Sequence, residues 1–239
     1  MVTERLAMEG ALEEGSDPDV ARVRTGAAFK FRPDLAIENA PLGRLLYAGR
    51  MMAFYERLLG GEVRHFDYTW LRAVSPGKGT APHGDSVFMN RGTTSLYTAW
   101  VPLGAIDYRL GGLIVLEQSH RLDEIKNSYG QRDVDTYCAD DAGTEIPNGE
   151  LKAWTGTLSD DPFALREQLG LRWLSAEFQL GDLLTFTMYT IHASLDNQTD
   201  RIRFSTDSRY QLASEPVDPR WIGEHPVGHG PEAKIGMIC

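Results

Sequence analysis

The chain has 239 residues, 42% of them hydrophobic and 24% charged, which is enough to bury a full core and suits one domain over residues 1–239. A net charge of −10 with no block of Lys or Arg repels phosphate backbones, so no nucleic-acid partner is expected. The apolar runs fall short of a membrane span, and the acidic first twenty residues lack a basic-then-apolar leader, so the expectation is a soluble, cytoplasmic protein with no membrane role.

Residues 1–30 are acidic and weakly patterned, and are expected to be weakly structured. Asp17-Pro18-Asp19 marks a turn or helix start before a short segment at 20–24. Pro41 opens a helix expected over 42–59, where Leu45, Leu46, Met52, Tyr55, Leu58 and Leu59 recur at helical spacing and Gly60-Gly61 stops it. Such a helix should pack on a sheet. The period then changes. Strands are expected at 68–74, 95–103, 113–117, 183–190 and 201–212, with a loop at 75–79. A short helix is expected at 122–129 and a long loop at 138–160. Asp161 is a plausible N-cap for a helix that Gly170 ends. The Pro- and Gly-rich tail at 216–231 reads as irregular. Cys138 and Cys239 sit in no metal-binding spacing and read as free thiols. Helices first and short strands after them suggest a mainly β fold, a helix-supported sandwich or barrel, over a parallel α/β sheet.

His83-Gly84-Asp85 is the first chemical feature. On an extended segment residues two apart share a face, so the imidazole and the carboxylate can converge on one ion. Alone the pattern is weak, because polar loops produce it often. His192 lies near the end of the apolar strand, where a histidine is more often a satisfied core residue than a ligand. Asp196-Asn197-Gln198-Thr199 is turn chemistry. A hairpin there would set His192 almost opposite Arg203, with Ser205 on the face of Arg203.

Two histidines and one carboxylate make up the facial triad of non-haem iron(II) oxygenases, which leaves adjacent positions open for a 2-oxo acid and O2. The far carboxylate of 2-oxoglutarate then needs a fixed cation. Arg203 fits as a planar, bidentate partner and Ser205 can add a hydroxyl. The plain alternative for Arg203 is a surface salt bridge.

The stretches APHGDSVF, LYTAWVPLG, LGGLIVLEQSHR and GDLLTFTMYTIHASLDNQTDRIRFSTDSRYQ resemble the phytanoyl-CoA dioxygenase family of Fe(II)/2-oxoglutarate oxygenases, from Trp70 to Tyr210. In the last stretch His192, Ser194, Asn197 and Arg203 follow the family's order and spacing. The resemblance implies a double-stranded β-helix (jelly roll, cupin-like) core, the metal set His83, Asp85 and His192, and a 2-oxoglutarate clamp at Arg203. It implies oxidation, most simply hydroxylation, of a small-molecule C–H bond with release of succinate and CO2. A carboxylate at Asp85 favours oxygenation over halogenation, since related halogenases carry a small residue there.

Further out, Trp100 matches an aromatic that lines the cofactor pocket in relatives, with Thr98 on its face; sheet packing explains both equally well. Arg72 shares a face with Trp70 and Tyr68, and either meets 2-oxoglutarate or substrate or forms a structural ion pair. Arg209 either meets an acidic substrate or pairs with Asp207. Met188 and Phe186 should face the way His192 does, as an apolar substrate wall or as core. His120 reads as structural, and His225 and His229 as solvated. Relatives carry more chain ahead of the helix near Leu42, so the entrance is expected to be more open here or completed by the tail. No basic cluster suits a CoA phosphate. Two other readings stay open at this point: a non-catalytic binding or regulatory protein on the same fold, and another metal-dependent cupin-like enzyme. The residues name neither the small-molecule substrate nor an oligomeric state.

Overall fold

The computed structural model describes residues 2–17, 20–136 and 154–235. Cys138, Cys239 and most of the expected loop at 138–160 lie outside them. Among the described residues no helix is long and apolar enough to cross a membrane.

Among the described residues eight strands form two antiparallel sheets. They are β1 (Val63–His65), β2 (Trp70–Val74), β3 (Tyr97–Pro102), β4 (Leu113–Leu116), β5 (Trp173–Leu174), β6 (Leu184–Thr187), β7 (His192–Ser194) and β8 (Arg203–Leu212). In the larger sheet β8 is the central strand. One edge takes β2 along its first half and β1 along its second, and the other edge pairs with β3, which leads to β6. The smaller sheet runs β5-β4-β7. Together they are the double-stranded β-helix expected from the sequence.

The alternation along β8 sorts its side chains into two environments. Tyr210 stacks on Tyr55 with ring centroids 4.0 Å apart and donates its hydroxyl to the Leu46 carbonyl at 2.5 Å, so its face looks toward the helices. Arg203, Ser205, Asp207 and Arg209 take the opposite face, inside the barrel. Eight of the ten residues of β8 are buried, so the strand is covered on both faces.

The helix expected over 42–59 is two helices, α2 (Ala40–Tyr47) and α3 (Arg50–Leu59), counted after α1 (Val2–Met8). Ala48 is extended and Gly49 has φ 55° and ψ −120°, a conformation glycine adopts most readily. The break lets Leu42 and Leu46 pack with Leu71, Ala73 and Val101, while Tyr55 packs with Val63, Ala99 and Tyr210. Leu45 and Leu58, expected on the packing stripe, are about half exposed. The stop at Gly60 holds: it is left-handed, and its N–H reaches the Glu56 carbonyl. Two further helices, α4 (Asp123–Asn127) and α5 (Pro162–Leu169), fall where the sequence suggests, and Asp161 caps α5 by accepting from Phe163 N and Ala164 N.

Residues 1–30 differ from expectation. The segment carries α1, and Leu6, Leu12, Ala21 and Val23 are buried in the cluster that also holds Leu42 and Ile202. Bridges Leu12↔Val23 and Arg22↔Arg201 fix it. Its few apolar residues are scattered among turns, so no periodicity announces a core contribution that exists only by docking on the sheet. The tail is irregular, as expected, but closely packed. Trp221 is buried against Phe66, Tyr68 and Trp70. His225 and His229 are both exposed, as expected, but His229 also contacts the Trp221 ring and lies 2.8 Å from Asp135.

A buried ion network holds that tail. Arg220 grips Asp218 with two bonds of 3.0 and 2.6 Å and reaches Asp135 at 2.6 Å and Asp133 at 3.3 Å. Lys234 adds a 2.5 Å bond to Asp135. Burial alone would raise the Asp135 pKa, but Lys234, His229 and Arg220 outweigh it and hold the group at about 2. Its folded pKa is thus depressed, so its contribution is present above the ordinary carboxylate value and is lost as pH falls toward 2. Urea unfolding should show Asp135→Asn with a flatter loss of stability between pH about 4 and about 2 than the parent protein. Arg220→Ala leaves Asp218 without its side-chain cation, while Asp133 keeps Arg91 and Asp135 keeps Lys234 and His229, and should cost about 3–5 kcal/mol at neutral pH.

Candidate metal centre

His83 and His192 face each other across one backbone pair. His83 N–H donates to the His192 carbonyl at 3.0 Å and the reverse bond is 2.9 Å. That puts their ring centroids 4.3 Å apart. The same ladder runs back through Thr80 N–H to Ser194 Oγ, 2.8 Å, to reciprocal Gly77–Asn197 bonds of 2.9 Å. His192 therefore does not end the strand before it. A turn at 187–190, closed by Thr190 N–H to the Thr187 carbonyl, separates β6 from β7. The expected hairpin that would set His192 opposite Arg203 also fails, because β7 and β8 belong to different sheets.

Asp85 follows His83 at the start of a 3-10 turn, Asp85–Val87. Tyr129 Oη accepts from Gly84 N–H at 2.9 Å, and Ser86 N–H donates to the Met188 carbonyl, so the backbone on both sides is tied down. One potential ligand atom from each of His83, Asp85 and His192 lies within 4.8 Å of the other two, and all three residues are buried.

The histidines are prepared to ligate. Nδ1 of His83 lies 2.7 Å from the Ala81 carbonyl, and Nδ1 of His192 lies 3.0 Å from the Thr190 carbonyl. A carbonyl only accepts, so each Nδ1 carries the hydrogen and each Nε2 keeps its lone pair for the centre. Burial, aided by the other histidine, lowers His83 to about 3 against the attraction of Asp85. Burial likewise lowers His192. Both rings are neutral at pH 7. For Asp85 burial would raise the pKa, but Arg209 leads the opposing contributions and holds the group well below the carboxylate range. The neutral histidines add nothing to that balance at pH 7.

The two Asp85 oxygens differ. Oδ1 faces His192 Nε2 at 3.8 Å. Oδ2 accepts from Thr98 Oγ1 at 2.5 Å and from Arg209 Nη2 at 3.0 Å. Neither contact was legible in the sequence: Arg209 meets Asp85, not Asp207, and Thr98 meets the same carboxylate. Only the register Thr98↔Arg209 in the sheet pairing brings these donors side by side.

Arg203 is 1% exposed, yet its Nε and Nη1 have no partner among the described residues, and the same holds for Ser205 Oγ. Burial, then Arg72, lower its guanidinium to about 10, against Asp207. A buried cation without a counter-ion is costly, and buried polar groups are otherwise satisfied, so the pair is suited to an anionic ligand. Arg72 takes the ion-pair alternative, with Nε 2.6 Å from Asp207 Oδ2. Trp100 is fully buried against Phe178 and Phe186, with its Nε1 unpartnered. Phe186 lies 4.6 Å from the His192 ring, whereas Met188 joins Trp70 and Trp221, since the turn at 187–190 ends the alternation that was to align them. His120 makes no contact with the centre, but its neighbour Ser119 accepts from Ile191 N–H at 2.9 Å and donates to the Leu116 carbonyl. Asn197 clamps the turn, giving Nδ2 bonds to the Val74 and Arg201 carbonyls. Sequence reasoning passes over Ser119, whose one signal is its place just after the apolar strand expected at 113–117.

The family described as phytanoyl-CoA dioxygenase (PhyH) matches residues 38–205. A comparison with curated protein sequences finds no match. Among solved structures, the non-heme alpha ketoglutarate dependent epimerase SnoN from nogalamycin biosynthesis superposes with a TM-score of 0.57 at 19% identity, over 94% of this chain and 82% of its own. The carbocyclase SnoK from the same biosynthesis gives 0.58 at 16% identity, over 90% and 74%. EctD from S. alaskensis gives 0.59 at 16% identity, over 99% and 75%. At these identities the likeness is one of fold.

The ladder that carries His83 depends on Gly79. A Cβ there would fall 2.0 Å from the Ser194 carbonyl oxygen and 2.7 Å from that of Leu195. Gly79→Ala should force the 77–83 segment off β7, lower stability by about 3 kcal/mol and weaken metal binding at the same time, as read by thermal melting with and without added Fe(II).

Proposed function

The chain belongs to the phytanoyl-CoA dioxygenase family, a family of Fe(II)/2-oxoglutarate-dependent enzymes, and on that footing we propose that it works as a single-domain hydroxylase of a small-molecule C–H bond. In this reading His83, Asp85 and His192 hold the iron, while Arg203 and Ser205 hold the distal carboxylate of 2-oxoglutarate. The donor set fits: two neutral imidazoles and one carboxylate give a facial triad with three positions left over. The observation that carries the reading is Arg203, a buried guanidinium with no counter-ion, on the interior face of the strand that also bears Arg209.

When bound, iron and 2-oxoglutarate react with O2 to give succinate and CO2 and supply the oxidising equivalent for the substrate. The chain's own residues do the rest. The carbonyls of Ala81 and Thr190 fix the histidine tautomers. Trp100 and Phe186 form an apolar cluster, with Phe186 against the His192 ring, that would limit water at the centre. Arg203 would hold the distal carboxylate of the co-substrate, and Ser205 would add a hydroxyl on the same face. The Arg72–Asp207 pair neutralises the other interior carboxylate and so leaves Arg203 available.

Hydroxylation is supported by EctD, whose structure holds 2-oxoglutarate and 5-hydroxyectoine, a hydroxylated small molecule. The carboxylate at Asp85 supports oxygenation over halogenation. The substrate is taken as a small molecule, and no nucleic acid is included given the acidic surface. Ferrous iron and 2-oxoglutarate are both supplied in the cytoplasm, which supports that location.

Anaerobic titration of the apo-protein with Fe(II) and then 2-oxoglutarate should give the weak visible charge-transfer band of a chelated 2-oxo acid. His192→Ala should abolish the band. Arg203→Ala should keep it but raise the 2-oxoglutarate concentration for half-saturation about 30-fold or more. Iron bound tightly with no band, and no succinate formed in air, would point to a different metal enzyme.

A further inference from the structure

We propose that Arg209, with Thr98, holds Asp85 to coordination through a single oxygen, so that Arg209 is a positioning residue of the metal centre and not a substrate contact. The inference rests on reading His83, Asp85 and His192 as the metal ligands.

Asp85 offers two oxygens, and a carboxylate so close to an ion can bind through one or both. Here the oxygens are already assigned. Oδ1 is turned toward His192 Nε2, while Oδ2 is taken by Thr98 Oγ1 and Arg209 Nη2. These two donors stand opposite each other on β3 and β8, in the middle of a five-stranded sheet, so they cannot drift apart. Arg209 is 2% exposed, and its guanidinium lies over the Trp70 ring at 4.6 Å. It is held between the aromatic face and the carboxylate, with its Nε buried and unpartnered among the described residues.

The consequence for chemistry is a count of positions. A facial triad with a one-oxygen carboxylate leaves three positions, two for the 2-oxo acid and one for O2. If Oδ2 also bound, it would occupy a position the co-substrate needs. Freed of Arg209, Asp85 would bind the ion at least as tightly, because a carboxylate without its counter-charge in a buried site is drawn to the metal. Iron affinity and co-substrate affinity should therefore move in opposite directions. Loss of a merely structural contact would lower both together.

The test measures two dissociation constants anaerobically, Fe(II) for the apo-protein and 2-oxoglutarate for the Fe(II) form, in Arg209→Met, Arg209→Lys and Thr98→Val. Circular dichroism and melting temperature confirm folding. Arg209→Met should bind Fe(II) as well as or better than the parent protein while 2-oxoglutarate affinity falls about tenfold or more, with a shifted charge-transfer maximum. Arg209→Lys should recover most of that loss, and Thr98→Val should show a smaller loss in the same direction. If Arg209→Met does not fold, the split in Thr98→Val decides. A parallel fall in both affinities, or no change in either, overturns the proposal. Asp85→Ala serves as the control: if it binds Fe(II) like the parent protein, the metal-ligand reading itself fails and this inference fails with it, a result distinct from the other two.

Discussion

The centre depends on one backbone pair, the reciprocal N–H to carbonyl bonds between His83 and His192. These bonds join a segment with almost no regular structure to a three-residue strand, and neither would be fixed alone. β7 is held on its other side by β4, and the 77–83 segment is held by Ser194, Asn197 and the glycine that lets the two chains approach. Because the pairing is antiparallel and in register, both imidazoles leave their strands at the same level and on the same side. The third ligand needs no further element, since it is two residues along from His83 and its backbone is pinned by Tyr129 and Met188.

The interior charges follow from that arrangement. The inward face of β8 and the adjoining face of β2 bring Arg72, Arg203, Arg209 and Asp207 into a space that Asp85 also enters. Two ion pairs consume Arg72 with Asp207 and Arg209 with Asp85. Arg203 is left over, buried and with unmatched N–H groups. Keeping a guanidinium in that state costs free energy, and the cost is recovered when an anion binds. Among the described residues on these faces Arg72 and Arg209 are each paired with a carboxylate, which leaves Arg203 as the guanidinium open to an anion.

The outer parts of the molecule serve the same frame. The N-terminal segment and α2 cover the outward face of the larger sheet, so that strands such as β2 and β8 are buried on both sides. The tail closes one end, where Trp221 packs on Trp70, the residue on which Arg209 rests. The ion network around Arg220 fixes this tail, whose regular structure among the described residues is limited to the 3-10 turns Pro219–Trp221 and Pro231–Ala233. Stability of the tail and geometry of the centre are in this way joined through aromatic contacts, Trp221 on Trp70 and His229 on Phe88, whose ring meets His83.

Local chemistry made much of this legible in the chain alone. Period-two patterns located the strands, Gly60 and Gly170 ended helices, Asp161 began one, and the H-x-D spacing with His192 and Arg203 marked the residues that meet inside the barrel. Those signals depend only on neighbours a few residues apart. What failed did so where distant segments decide. The break at Gly49 is required by two different clusters for α2 and α3, and scattered apolar residues near the N-terminus acquire a core only by docking. His192 and Arg203 lie in opposite sheets although they are eleven positions apart. The partner of Arg209 belongs to the same class: Asp85 is remote in sequence, and only the register of β3 on β8, together with the ladder that seats His83, brings that carboxylate under the guanidinium. Sequence determined which groups are present and which local elements carry them; which charge meets which was decided by strand register, a property of pairing between segments that no local pattern encodes.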